Sequence, residues 1–198
     1  MGIRLEKYNP SKHDKQVLAD LIFKSDEEMN ALVYGDDAIN VISQLLDSDN
    51  NYFSPDYTQC VMLDDQIIGV VVGFPVKDKK EIDSQSGKDF ARAMGFFTLM
   101  KKMFFYNKLN KIVAGDMDDE GYYIHTLSIS PDFQGQGFGR QIIDLISKDQ
   151  KKLYLHVSRK NKGAVKFYEA VGFQEKFRGS ITHKGKELCE SLMEKVIT

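Results

Sequence analysis

Ser128-Ile129-Ser130-Pro131-Asp132-Phe133-Gln134-Gly135-Gln136-Gly137-Phe138-Gly139-Arg140 is the stretch that decides how this chain is read. Residues 122–129 alternate in the manner of a strand, and Pro131 ends it. Phe138, Ile142, Ile143, Leu145 and Ile146 then recur on one side of a helix predicted over 138–148. A strand therefore runs into a glycine-rich loop that opens a helix. Gly135, Gly137 and Gly139 carry no side chain to hold an anion off the backbone, so several N–H groups can point at one place. The helix dipole adds about half a positive charge there. The arrangement predicts a phosphate or pyrophosphate cradle. Its spacing departs from two other cradles: no Lys-Ser or Lys-Thr follows, as GxxxxGK[ST] needs, and Gly135 to Gly139 reads GxGxG rather than GxGxxG.

Outward from this segment the chain alternates strands and helices. Downstream, a short strand is expected over 153–157 and a helix over 163–171 that stops at Gly172. Two antiparallel strands follow, joined near His183-Lys184-Gly185-Lys186. Upstream, residues 3–8 read as a strand, broken by Asn9-Pro10-Ser11, with Ser11 as the cap of a helix over 12–24. Asp36-Asp37 opens a second helix with Ala38, Val41, Ile42, Leu45 and Leu46 on one face. Residues 58–63 and 66–74 form a hairpin around Asp64-Asp65, and its second strand is rich enough in Ile and Val to be covered on both faces. Lys77-Asp78-Lys79-Lys80 reads as a charged loop, and 116–121 as an acidic turn. Between them Phe90, Met94, Phe97, Met100 and Phe104 recur at helical spacing, with a break at Gly95. That helical insertion, around 85–110, reads as core, as a lid or acceptor-pocket wall, or as the contact of a homodimer. There is no internal repeat, low-complexity tract or long linker.

At 198 residues, one domain spanning 1–198 is the natural expectation. The formal net charge of −2 argues against a general nucleic-acid binder. Cys60 and Cys189 make no CxxC, and His13, His125, His156 and His183 are scattered, so no metal site is expected. Neither a secretory leader, a membrane span nor a myristoylation pattern is visible, which leaves a soluble cytoplasmic protein as the expectation and no membrane as partner. The near-neutral total hides a polarity. From Ser25 to Val76 there are ten acids and no Lys or Arg, whereas from His125 to Arg178 ten Lys or Arg face five acids. Solvated faces are one reading; a cation-facing half and an anion-facing half are the other.

Gln134 to Gly139 matches the [QR]-x-x-G-x-[GA] pattern of the GNAT N-acetyltransferase superfamily, and Asn161-Lys162-Gly163-Ala164-Val165-Lys166-Phe167-Tyr168-Glu169-Ala170-Val171-Gly172-Phe173 resembles its N-x-x-A-x-x-F-Y-x-x-x-G-F segment. Both motifs stand in the family's order and context, and the resemblance is strong over about residues 120–178. It implies an α/β (α+β) GNAT fold: a central mixed, mostly antiparallel twisted sheet of about seven strands flanked by helices. It implies acetyl-coenzyme A as donor. Carried over, the backbone of Leu127, Ser128 and Ile129 would bond the pantetheine amides and thioester carbonyl, with an N–H at Leu127 as oxyanion hole. The backbone of Gln134, Gly135, Gln136, Gly137, Phe138, Gly139 and Arg140 would hold the pyrophosphate. Asn161 would touch the pantetheine arm, and Tyr168 would protonate the departing thiolate. Some relatives carry a Glu base where this chain has Tyr123, so the base is open. His125 shares Tyr123's side of the strand and has a pKa suited to the task. Glu120 acting through water is another option, and so is an amine that needs no dedicated base.

The resemblance implies an acyltransferase that moves acetyl directly to a primary amine in a ternary complex, since neither cysteine lies in the motif region. A non-catalytic acyl-coenzyme A-binding module, acting as sensor or scaffold, is the alternative. O-acetyl transfer or a longer acyl group is a third reading. The acid-only stretch falls where the family borders its acceptor, which predicts a cationic small molecule or peptide amine.

Overall fold

The structure is a computed structural model that describes residues 2–197. Seven strands and eight α-helices are described: β1 (Arg4–Lys7), α1 (Lys15–Ser25), α2 (Glu27–Tyr34), α3 (Ala38–Leu46), β2 (Thr58–Leu63), β3 (Gln66–Pro75), α4 (Lys79–Gln85), α5 (Gly87–Met94), α6 (Phe96–Ile112), β4 (Tyr122–Ile129), α7 (Phe138–Ser147), β5 (Lys152–Ser158), α8 (Lys162–Ala170), β6 (Gln174–His183) and β7 (Lys186–Val196). All strands join one sheet in the order β1-β2-β3-β4-β5-β7-β6. Every pairing is antiparallel except β4 with β5. This is the mixed, mostly antiparallel α/β sheet that the motifs imply.

Apolar side chains from β3 bind helices to both faces. Val70 and Val72 meet Leu18 and Ile22 of α1 and Ile42 and Leu45 of α3. Ile68 and Val71 point the other way, into Phe138 and Ile142 of α7. All four side chains are fully buried, and each such burial is worth about 1.5–3 kcal/mol. The α7 face continues through Ile143 to Tyr168 of α8, packed with Ile124, Leu155 and Val157. The opposite face carries α1 to α6.

Four local expectations change. The cap of the first helix is Asp14, whose side chain accepts from the Gln16 N–H at 2.8 Å; Ser11 lies a turn too early. A further helix, α2, fills 27–34 behind its own cap, Asp26. The charged loop at 77–80 is a 3₁₀ turn (Val76–Asp78) running into α4. The apolar insertion breaks at Gly95 as expected (φ +85°), but α6 is not core throughout. Its inner side chains Phe105 and Ile112 pack on Leu188. Its outer ones do not: Phe97 is 81% and Phe104 71% exposed. Among the described residues no helix is long and apolar enough to cross a membrane.

Candidate active site

The one parallel pairing is also the shortest. β4 and β5 are matched only from Tyr122 with Leu153 to Ile124 with Leu155. Both strands continue, β4 to Ile129 and β5 to Ser158. Beyond Ile124 the two edges part, so backbone groups of β4 around Leu127, Ser128 and Ile129 face a cleft instead of a strand on that side. At the same point the β3–β4 register slips, with Val72 opposite Thr126 and Gly73 opposite Ile124, which leaves His125 as an unpaired bulge residue.

β4 delivers the chain into the glycine loop. Gln134 Nε2 donates to the Ile129 carbonyl at 2.8 Å and Gln136 Nε2 to the Asp132 carbonyl at 3.1 Å, so both glutamines brace the turn. Gly137 is the α7 N-cap in left-handed conformation (φ +81°), and no side chain caps the helix. The first N–H groups of α7 are therefore open to a ligand. A Cβ at Gly135 or Gly137 would meet nothing within 4 Å, so the space above the loop is free. Gly139 does something else. A Cβ there would come within 2.9 Å of the Phe167 ring, so this glycine lets α8 close on α7 and does not clear room for an anion. Arg140 adds to the same contact by donating to the Ala170 carbonyl at 3.0 Å. Asn161 caps α8, accepting from the Ala164 N–H at 3.0 Å.

Tyr168 lies on the α7–α8 side of the sheet, in the cluster that holds Ile124 and Val157, with Leu127 packed against that cluster. Its ring packs on Phe173 and Phe167. Burial pushes its phenol up to about 12, so it stays protonated.

The opposite face at the cleft is aromatic and titratable. His125 stacks on Tyr52 at 4.9 Å, meets Phe53 edge-on at 5.4 Å, and hydrogen-bonds Thr126 Oγ1 through Nδ1 at 3.0 Å. Desolvation, then Lys79 and His156, push its imidazole down to about 4. The Tyr52 hydroxyl donates to Asp83, which also pairs with Lys79 at 2.8 Å. Tyr123 Oη lies 2.9 Å from His156 Nδ1, and His156 Nε2 lies 3.4 Å from the Ala114 carbonyl. With Nε2 donating to that carbonyl, Nδ1 accepts a hydrogen bond from the Tyr123 hydroxyl. Burial holds His156 near 4 as well. Glu120 precedes β4, at the end away from the glycine loop, and pairs with Lys151 at 2.6 Å.

The profile of the acetyltransferase (GNAT) family matches residues 27–173. The chain belongs to the GNAT family. An uncharacterized N-acetyltransferase of Methanocaldococcus jannaschii is 40% identical over 58 residues, 27% of this chain and 26% of that relative, so the match spans about a quarter of its length. An N-acetyltransferase structure from Staphylococcus aureus Mu50 superposes with a TM-score of 0.64 at 16% identity, over 96% of this chain and 99% of that one. A GNAT family acetyltransferase from Elizabethkingia anophelis, solved with acetyl-coenzyme A bound, gives 0.52 at 15% identity over 99% of each chain. These two likenesses concern the fold.

GNAT enzymes draw their acetyl group from acetyl-coenzyme A. In this GNAT chain the open N–H groups behind Gly137 and the free space above Gly135 can hold the coenzyme's pyrophosphate, and the parted β4 edge offers backbone partners to an amide-bearing arm. Among the described residues no cluster of three His, Cys, Asp or Glu could hold a metal. The polarity of charge along the sequence is partly consumed internally. Glu28 of the acid-only stretch pairs with Lys160 at 2.9 Å and Lys186 at 3.3 Å, and Asp56 with Lys7 at 2.6 Å. Asp49 of that stretch lines an open cleft together with Asp78, Glu81 and Tyr57. One group on the Tyr123 side is absent from the motif reading. Glu190 of β7 is a buried carboxylate on the face that Leu188 and Leu192 make apolar. The alternation Leu188-Cys189-Glu190-Ser191-Leu192 could have revealed it, since it puts an acid on a strand's apolar face.

Proposed function

We propose that this GNAT chain, as one domain, moves the acetyl group of acetyl-coenzyme A directly to a primary amine, with donor and acceptor bound together. The observation that carries this reading is a protonated, buried phenol, Tyr168, in the same apolar cluster as Leu127 and as Ile124, where the β4–β5 pairing ends. Bound there, acetyl-coenzyme A supplies an activated acetyl carbonyl on a thiol leaving group. The backbone N–H at Leu127 stabilises negative charge on that carbonyl oxygen, an interaction commonly worth about 3 kcal/mol. N–H groups from Gln134 to Arg140 hold the pyrophosphate, with Gly139 and Arg140 acting mainly by fixing α7 against α8. Asn161 sets the start of α8, and its side-chain amide stays free to meet the arm. Tyr168 gives its proton to the departing sulfur.

His125 serves as part of the aromatic wall that the acceptor meets. An imidazole held near 4 is too weak a base for an alkylammonium. The thiol of Cys60 is buried and pushed up to about 12, which favours direct transfer over a covalent acetyl-cysteine. A cationic small molecule or peptide amine suits the open acidic cleft of Asp49, Asp78 and Glu81.

The test is an acceptor screen with acetyl-coenzyme A and the full chain, read by thiol release and product mass. Acetylation of cationic amines, lost with Tyr168→Phe, supports the reading. Tight coenzyme binding with no acetylated acceptor would replace it with a non-catalytic acyl-coenzyme A module.

A further inference from the structure

Glu190 is 6% exposed. Among the described residues its carboxylate meets no hydrogen-bond donor and no cation; its surroundings act on it through burial and through the nearby Asp26 carboxylate. Of the neighbouring cations, Lys160 and Lys186 are both turned to Glu28, and Arg159 reaches Cys189 instead. A buried, unpartnered carboxylate is costly, and native structures keep such groups chiefly where they work.

Its position in the sheet says where. Ser158 of β5 is paired with Glu190, and Leu155 of β5 with Ile124 of β4. Ser158 stands three residues beyond Leu155, and Leu127 three residues beyond Ile124. Glu190 is thus level with Leu127, two strands away across the parted β4–β5 edge, so the span exceeds the roughly 10 Å of two regular strand spacings and a proton would cross it through water. Glu190 lies on the α1–α6 face with Leu192 and Tyr123, whereas Tyr168 lies on the α7–α8 face. The cleft separates the two.

We infer that Glu190 accepts the proton that the acceptor's ammonium group must lose, from the side of the sheet opposite Tyr168. The inference rests on the acetyl-transfer reading above. In going from ammonium to amide the nitrogen loses two protons. Glu190 takes the first, and the freed lone pair forms the C–N bond at the thioester carbonyl. The C–S bond breaks with its electron pair on sulfur, which Tyr168 protonates. The second N–H proton restores Tyr168 through solvent and Glu190 discharges to water, so one proton is released per turnover.

The groups facing Glu190 from its neighbours are Asp26 at the α1–α2 junction, Tyr123 on β4 and His156 on β5. Tyr123 stays protonated and His156 neutral between pH 6 and 9, because burial moves each away from that range. The carboxyl of Glu190 itself is pushed up to about 8 by burial and by Asp26, close to the strength a base needs at neutral pH.

The experiment compares the full chain with Glu190→Gln and Glu190→Asp on an accepted amine. Glutamine copies the shape and charge of the protonated carboxyl, so folding is preserved. Expected are a fall of about 100-fold in kcat/KM for Glu190→Gln at pH 8, partial return with Glu190→Asp, and unchanged affinity for acetyl-coenzyme A by calorimetry. The wild-type rate should climb with pH to a plateau past about 8, a limb that Glu190→Gln lacks. Independently of turnover, carbon-13 NMR should show a carboxyl titrating near 8 that is missing from Glu190→Gln. Full activity and an intact limb in Glu190→Gln, or an ordinary carboxyl titration, would overturn the inference while leaving acetyl transfer standing. A wild-type chain that binds the coenzyme and acetylates no amine would overturn both.

Discussion

On the α7–α8 face, the groups available to a ligand are mostly backbone: the N–H donors behind Gly137 and the β4 edge from Leu127. On the α1–α6 face they are side chains brought from β4, β5, β7 and the α1–α2 junction: Tyr123, His156, Glu190 and Asp26. The first face needs a particular chain conformation, which a short run of residues specifies. The second needs convergence of distant residues, which only the folded sheet supplies. A coenzyme common to a family can be met by a backbone device; an acceptor particular to one member must be met by side chains.

Replacing Tyr168 by Phe should break this division most visibly. The phenol sits on the backbone face yet acts through its side chain. Loss of the proton donor should lower kcat about 1,000-fold, with coenzyme affinity unchanged by calorimetry. Stability should hardly move, because among the described residues the hydroxyl has no hydrogen-bond partner while the ring packs on Phe167 and Phe173. Comparable losses of rate and melting temperature would mean that Tyr168 is a packing residue only.

The pH dependence of stability separates the faces next. Glu190 titrates near 8 when folded against a reference of 4.5. Between those values the folded chain holds a proton that the unfolded chain has lost, so stability falls as pH rises from about 4.5 to 8 and levels off above. Removing that loss should make Glu190→Gln more stable than wild type at pH 8, by about 4 kcal/mol. The histidines act at the other end. His125 and His156 titrate near 4 when folded against 6.5, so the unfolded chain binds the extra proton and stability is lost as pH falls from 6.5 to 4. Denaturant midpoints at pH 5, 6.5 and 8 check both signs. A flat profile would mean that these groups are better solvated than their packing shows.

This contrast also explains what could be read from the sequence. The hairpin at 58–74, the strand before the loop and the left-handed glycines were legible because each depends on neighbours in the chain. The packing role of Gly139 was not legible for the same reason: its partner, the Phe167 ring, lies a helix away. Helix α4 was hidden in a charged run with Ile82 as its apolar residue, and α2 because its apolar residues bunch at Ala31–Tyr34 within two turns, too short to show a period. The outer stripe of α6 carries a core-like pattern at the surface, so periodicity gave its spacing and not its burial. Glu190 was legible only as an acid out of place, since nothing local relates β7 to the end of β4.

Gly137→Ala and Gly139→Ala sharpen the comparison within the backbone face itself. At Gly137, φ of +81° makes any side chain cost about 1–2 kcal/mol, and the methyl would stand in the open space above the loop. Coenzyme affinity should weaken about tenfold by calorimetry. At Gly139 the methyl meets Phe167 instead, so melting temperature should fall more than affinity. Equal effects of the two substitutions on affinity would return Gly139 to the cradle.

The smallest expected effect concerns the charge polarity that the sequence displays. Lys160 is exposed and pairs with Glu28, so Lys160→Ala should cost under about 1 kcal/mol, a shift of a few degrees at most in melting temperature. Its influence on the acceptor should be of opposite sign. Glu28 stands two residues from Asp26, whose carboxylate acts on Glu190, and Lys160 partly masks its negative charge. Unmasking it should lower KM for a cationic amine about twofold at low salt, and the gain should vanish by 0.5 M salt as screening closes in. A KM that ignores both Lys160 and salt would show that the acids of 25–76 are spent on folding the chain, and that an acceptor is chosen by shape within the aromatic wall of Tyr52, Phe53 and His125.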